Sequence, residues 1–98
     1  MRHFIKIKKQ FADAILSGDK TFEIRNNDRA YQKGDEVKFT VLDDDGLEYK
    51  TYNIKTGIYY SHQLQDNVYK ITYVLSGWGL KNGYVVFGIK EVMESEHD

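Results

Sequence analysis

Alternation governs the start of the chain. In "HFIKIKK", His3, Ile5 and Ile7 fall on one side and Phe4, Lys6 and Lys8 on the other, which is the period of a β-strand. The period then lengthens. Across "QFADAILSG", Phe11, Ala14 and Ile15 share a helical stripe that Ala12 and Leu16 widen, and Gly18 stands where a left-handed C-terminal cap belongs. A helix of about two turns is therefore predicted directly after the first strand. "TFEIR" returns to period two. With Phe22 and Ile24 taken as the buried pair, Thr21, Glu23 and Arg25 are expected together on the opposite face.

"NNDR" reads as an irregular loop, because Asn and Asp hydrogen-bond to their own backbone. "KGD" reads as a turn in which Gly34 supplies the bend and Asp35 is structural. "EVKFTVL" alternates with Val37, Phe39 and Val41 inward, and "DDDG" at 43–46 ends it. "LEYKTYNIKTGIYY", "VYKITYVL" and "YVVFGIKEV" read as three further strands rich in Tyr, Val and Ile. "SHQLQDN" joins the first two of these, and "SGWGLKNG", with one helical turn, joins the last two. Six strands and one short helix predict a β-rich α+β domain, a small curved sheet or partly closed barrel.

With 98 residues the chain has room for one core. Residues 1–92 are assigned to a single domain and 93–98, within "EVMESEHD", to an acidic solvated tail. The formal net charge of −1 excludes a strongly basic polyanion binder, yet it is unevenly spread: residues 1–40 carry +3 and the remainder −4. An anion site would therefore belong to the first half. No cysteine is present, which fits a reducing compartment. No apolar run approaches the ~20 residues of a membrane span, and the N-terminus lacks a signal-peptide core, so a soluble cytoplasmic protein is expected.

The candidate chemistry lies at 20–29. On the strand reading, Lys20 precedes the co-facial set Thr21, Glu23 and Arg25, with Asp28 and Arg29 following in the loop. Lys6 and Lys8 would join them if the first strand lies alongside. A solvated face of weak ion pairs is one reading of such a cluster. A polar pocket, in which Lys and Arg hold a phosphate and the acids orient them or accept from a base amino group, is the other.

The stretch "FADAILSGDKTFEIRNNDRAYQKGDEV", with "HFIKI" before it and "ITYVLSGWGLKNGYVVFGI" after it, resembles the ASCH-type domains of the PUA-like superfamily. Within them it is most similar to the small bacterial and phage branch known as the DUF3850 family. The resemblance implies a β-rich PUA-like pseudo-barrel of about six strands. It also implies an RNA- or nucleotide-binding cleft beside the first helix, lined by Lys20, Thr21, Glu23 and Arg25 with Asp28 and Arg29 at its rim. A related branch hydrolyses the amide of an acylated cytidine with a Lys, a Thr three residues later and a distant Glu. Here Lys20 matches, but Glu23 occupies the second position, Thr21 is adjacent to Lys20 and the distant Glu has no equivalent, so the nucleophile is displaced or absent; were the chain an enzyme, Lys20 would act as base and Glu23 as its partner or as general acid/base.

Other features add less. His3, His62 and His97 show no metal-ligand spacing, so no metal is expected. His3 shares a face with Ile5 and Ile7, as a half-buried residue bonded to backbone or as a pocket group titrating near neutrality. Gly77, Gly79 and Gly83 depart from dinucleotide-fingerprint spacing. Trp78, between two glycines, either plugs one end of a barrel or stacks on a base. The expectation is a monomeric domain without cofactor or membrane partner that binds RNA, a nucleotide or a modified nucleoside. A small hydrolase of a modified nucleoside and a protein-interaction module using the Tyr-rich surface are the alternatives.

Overall fold

The computed structural model describes residues 1–93; of the expected acidic tail only Met93 falls within it, and His97 lies outside the described residues. Strand β1 (Arg2–Lys8) buries His3, Ile5 and Ile7 and exposes Phe4, Lys6 and Lys8, as the alternation predicts. Helix α1 (Lys9–Ser17) follows without a break and buries Ala12 and Ile15, whereas Phe11 and Leu16 remain exposed. It stops at Gly18, whose φ of 89° is left-handed and whose N–H donates to the Ile15 carbonyl at 3.1 Å. Then come β2 (Phe22–Asn26), β3 (Glu36–Leu42), β4 (Lys50–Asn53), β5 (Ile58–Ser61), a 3-10 turn (Gln63–Asp66), β6 (Tyr69–Ser76) and β7 (Tyr84–Glu91).

The described residues thus hold seven strands, not the six predicted. "LEYKTYNIKTGIYY" is not one strand but folds back on itself, because the Asn53 side-chain oxygen accepts from the N–H groups of Lys55 (2.9 Å) and Thr56 (3.3 Å) and Gly57 takes a φ of 71°. The resulting β4–β5 ribbon is a separate two-stranded sheet carrying a Tyr52–Tyr59 ring pair 4.8 Å apart. "SGWGLKNG" holds two tight turns rather than a helical turn: Leu80 N–H donates to the Gly77 carbonyl and Tyr84 N–H to that of Lys81, both at 3.0 Å.

The main sheet is mixed, in the order β1-β3-β6-β7-β2, with β1 and β3 parallel and the other neighbours antiparallel. It is open and not a closed barrel, with β1 and β2 as its two edges. β3 and β6 share only Val37↔Tyr69 and Glu36↔Lys70; farther along β3 the Val41 N–H is taken by the Gln65 side chain at 2.8 Å. The inward residues of β1, β3, β6 and β7 meet Ala12, Ile15 and Leu64 in one core, centred on the fully buried Phe87, Val37, Val41, Ile71 and Leu64. Each such side chain contributes about 1.5–3 kcal/mol on burial. Gly88 is required by this packing: opposite the bulge between Ile71 and Tyr73, a Cβ there would stand 2.6 Å from the Thr72 hydroxyl.

Two buried histidines fasten the periphery to this core. His3 Nε2 donates to the Asp35 carboxylate at 2.8 Å, not to backbone, and Gln32 N–H donates to the same carboxylate oxygen at 3.1 Å. His62 accepts from Leu64 N–H on Nδ1 (3.1 Å) and donates from Nε2 to Asp13 on α1 (2.7 Å), so neither ring nitrogen is left for other chemistry. The His3 bond first, with help from Gln32 and the N-terminal ammonium, holds the Asp35 carboxyl below the usual carboxylate range. The Asp13 carboxyl is lowered likewise by His62 and then Lys9.

A lowered folded-state value means stability that is fully present above the unfolded carboxylate value of about 4 and is lost as the pH falls through the folded one. The thermal midpoint should therefore be level down to about pH 5 and drop below pH 4, with a shallower drop in Asp35→Asn. Identical acid profiles for the two proteins, followed by circular dichroism, would exclude Asp35 as a contributor.

Candidate functional site

An open sheet leaves the outward carbonyls of its edge strands without partners. On β1 two of them are met by arginines: Arg25 Nη2 from β2 donates to the Lys6 carbonyl, and Arg29 Nη1 from the following loop donates to the Phe4 carbonyl, each at 2.6 Å. β1 and β2 thus lie alongside one another joined by side chains instead of a backbone ladder. The space at this seam is a cleft of about 540 Å³, with Lys6 and Lys8 on one bank, Phe22 and Ile24 on the other, and Phe11 and Tyr84 at its margins.

The facing of β2 is the reverse of the expected one. Phe22 and Ile24 are 41% and 52% exposed, whereas Glu23 is 4% exposed. The register explains it. β2 pairs antiparallel with β7 so that Glu23 lies opposite Phe87 and Arg25 opposite Val85, both core residues, which puts Glu23 and Arg25 on the inner side and the apolar pair outside. Glu23 tolerates this position because each carboxylate oxygen has its own cation: Lys20 Nζ donates to Oε1, and Arg25 Nε donates to Oε2 at 2.8 Å. A buried carboxylate lacking such partners would cost several kcal/mol.

Lys20 is held from every side. Its N backbone group donates to the Ala14 carbonyl at 3.0 Å, its ammonium donates to the Phe22 carbonyl at 2.7 Å as well as to Glu23, and the same ammonium stands 5.4 Å and 5.1 Å from the ring centres of Phe11 and Phe22. One of its three N–H groups stays unassigned. Behind Glu23, the Tyr31 ring packs between His3 (4.7 Å) and Phe87 (4.8 Å), and burial pushes its phenol above the usual range. Tyr31 is therefore neutral at physiological pH and adds no negative charge to the base of the cleft.

Of the sequence-derived candidates, Lys20, Glu23 and Arg25 line the cleft. Thr21 does not; it is exposed, and its carbonyl is occupied by Ile89 N–H at 2.9 Å. Asp28 is exposed in the loop, Arg29 serves the seam, and His3 lies behind it on the inner face. Trp78 is 90% exposed at the tip between β6 and β7, so it plugs nothing. The aromatic and aliphatic lining, Phe11, Phe22, Ile24 and Tyr84, was not legible as a site. The signal available was the alternation of "TFEIR" itself, which marks two faces without saying which one turns inward.

Among the described residues no three His, Asp or Glu side chains converge as a metal site, and no helix is long and apolar enough to cross a membrane. No curated protein matches the chain. The family model for a domain of unknown function, DUF3850, matches residues 2–89, which takes in every residue lining the cleft, and the chain belongs to that family.

Proposed function

We propose that this chain is a PUA-like binding domain whose β1–β2 cleft takes a nucleotide unit, free or within RNA. One observation carries the reading: aromatic walls and several fixed or mobile cations surround a single cavity over a buried carboxylate. Phe11, Phe22 and Tyr84 offer faces on which a planar base stacks. Lys6 and Lys8, exposed and without an ion-pair partner among the described residues, and the spare N–H of Lys20 suit a phosphate. Glu23, with two acceptor oxygens, orients Lys20 and Arg25, and in this reading a lone pair left over from those bonds would accept from a base amino group at the cleft floor.

The phosphate role expected of Arg25 and Arg29 passes in this reading to the lysines, since both guanidinium groups already donate to β1 carbonyls. Nothing in the geometry favours the hydrolase alternative. Thr21 lies outside the cleft lining, and the Lys20 ammonium is engaged by Glu23 and the Phe22 carbonyl, not by a hydroxyl nucleophile.

The test is an amide-resolved NMR titration with the four ribonucleoside monophosphates and a short mixed-sequence RNA at low salt. Shifts are expected along Lys6–Phe11, Lys20–Asn26 and Tyr84, shrinking as salt is raised. A flat titration with every ligand overturns the reading.

A further inference from the structure

A second cavity of about 320 Å³ adjoins the cleft at the Trp78 end of the sheet, lined in part by Asn27, Gly77, Lys81 and Tyr84. Tyr84 borders both cavities, and the neighbours Asn26 and Asn27 contribute one residue to each. Lys81 stands over the Tyr84 ring, 5.7 Å from its centre. No acid lines this second cavity, and Lys81 is the one cation in its lining.

Trp78 stands beyond this cavity in an unusual backbone. Gly77, Trp78 and Gly79 take φ values of 73°, 52° and 90°, three left-handed residues in succession. Glycine adopts that region freely, but a bulky aromatic does not. The indole gains no packing in return, being 90% exposed with no ring contact among the described residues. The backbone serves the turn that Leu80 N–H closes on the Gly77 carbonyl, but that turn has no need of an indole, which fits a ring held out for something else.

We infer that the ligand of the cleft is a single-stranded polynucleotide that runs from the β1–β2 seam past Tyr84 and Lys81 to stack on Trp78, rather than a mononucleotide. The inference rests on the nucleotide reading of the cleft. It adds a second aromatic station, reached past the one cation Lys81, and it assigns Trp78 the role of an outer platform.

Trp78 is the sole tryptophan, so its fluorescence reports on its own position. The intact chain is titrated with a mononucleotide and with RNA and DNA oligonucleotides of increasing length, while amide shifts report on the cleft. The mononucleotide should shift cleft amides and leave the emission unchanged. Longer oligonucleotides should quench it and bind at least about tenfold more tightly.

Trp78→Gly, which relieves the backbone, should fold as stably as the parent or more so. It should keep mononucleotide affinity and lose about tenfold in oligonucleotide affinity, measured by anisotropy of a labelled strand. Equal affinity for mononucleotide and oligonucleotide, or an unaltered oligonucleotide affinity in Trp78→Gly, overturns the strand inference and leaves the cleft reading standing. Absence of any cleft shift with either ligand overturns both. RNA and DNA arms of equal strength support the polynucleotide path, and a preference for RNA adds a contact to the 2′-hydroxyl.

Discussion

Glu23→Ala should lower the thermal midpoint by roughly 10–20 °C, the largest loss expected from any single polar substitution in this protein. The carboxylate is 4% exposed and is shared between Lys20 and Arg25, whose side chains are 16% and 25% exposed. Removing it strands two cations beside the core opposite Phe87. Breaking a fully enclosed pair costs about 3–5 kcal/mol. Partial solvation of the two cations reduces that to about 2–3 kcal/mol here. Glu23→Gln keeps the volume but turns an amide N–H toward a donor, so its loss should be smaller yet clear. Differential scanning calorimetry decides the matter: a midpoint within a degree or two of the parent for Glu23→Ala would show that the carboxylate is not the clamp described.

The double reversal Lys6→Glu/Lys8→Glu should weaken nucleotide or oligonucleotide binding by about 100-fold at low salt while shifting stability by no more than about 0.5 kcal/mol. Both lysines lie on the exposed face of β1 and border the cleft, and their ammonium groups make no hydrogen bond or ion pair among the described residues, so their charge is available to a ligand. Reversal replaces two attractive charges by two repulsive ones at the mouth. It should also flatten the dependence of affinity on salt, because fewer counterions are released on binding. Calorimetric titration at two ionic strengths reads both effects. Affinity that survives the reversal would remove the phosphate from this bank of the cleft.

The inward faces of β1 and β3 were legible from Ile5 with Ile7 and from Val37 with Phe39 and Val41, whereas on α1 the helix itself was legible but only Ala12 and Ile15 of its expected stripe are buried, Phe11 and Leu16 facing solvent. β2 misled because its alternation is genuine but ambiguous. An edge strand has water on one side in either orientation, and what decided the matter was long-range pairing of Glu23 with Phe87 on β7, sixty-four positions away in the chain, together with cations able to satisfy a buried carboxylate. The β4–β5 hairpin was missed for a local reason. Its turn lacks an Asn-Gly pair, and the cue lay in Asn53 and Gly57 at its two ends. The polar part of the site, Lys20, Glu23 and Arg25, could be read because it is contiguous; its apolar walls come from α1, β2 and β7 and meet only in three dimensions.

A backbone ladder would hold β1 and β2 about 4.8 Å apart and leave no room between them. Arginine tethers set no such spacing. Arg25 and Arg29 reach the Lys6 and Phe4 carbonyls through methylene chains, so the spacing of the two strands follows the reach of two side chains while every strand keeps its own pairing. Arg25 is also fixed by Glu23, so the sheet and that arginine form a frame in which Arg29 is the tether bound by no second partner among the described residues.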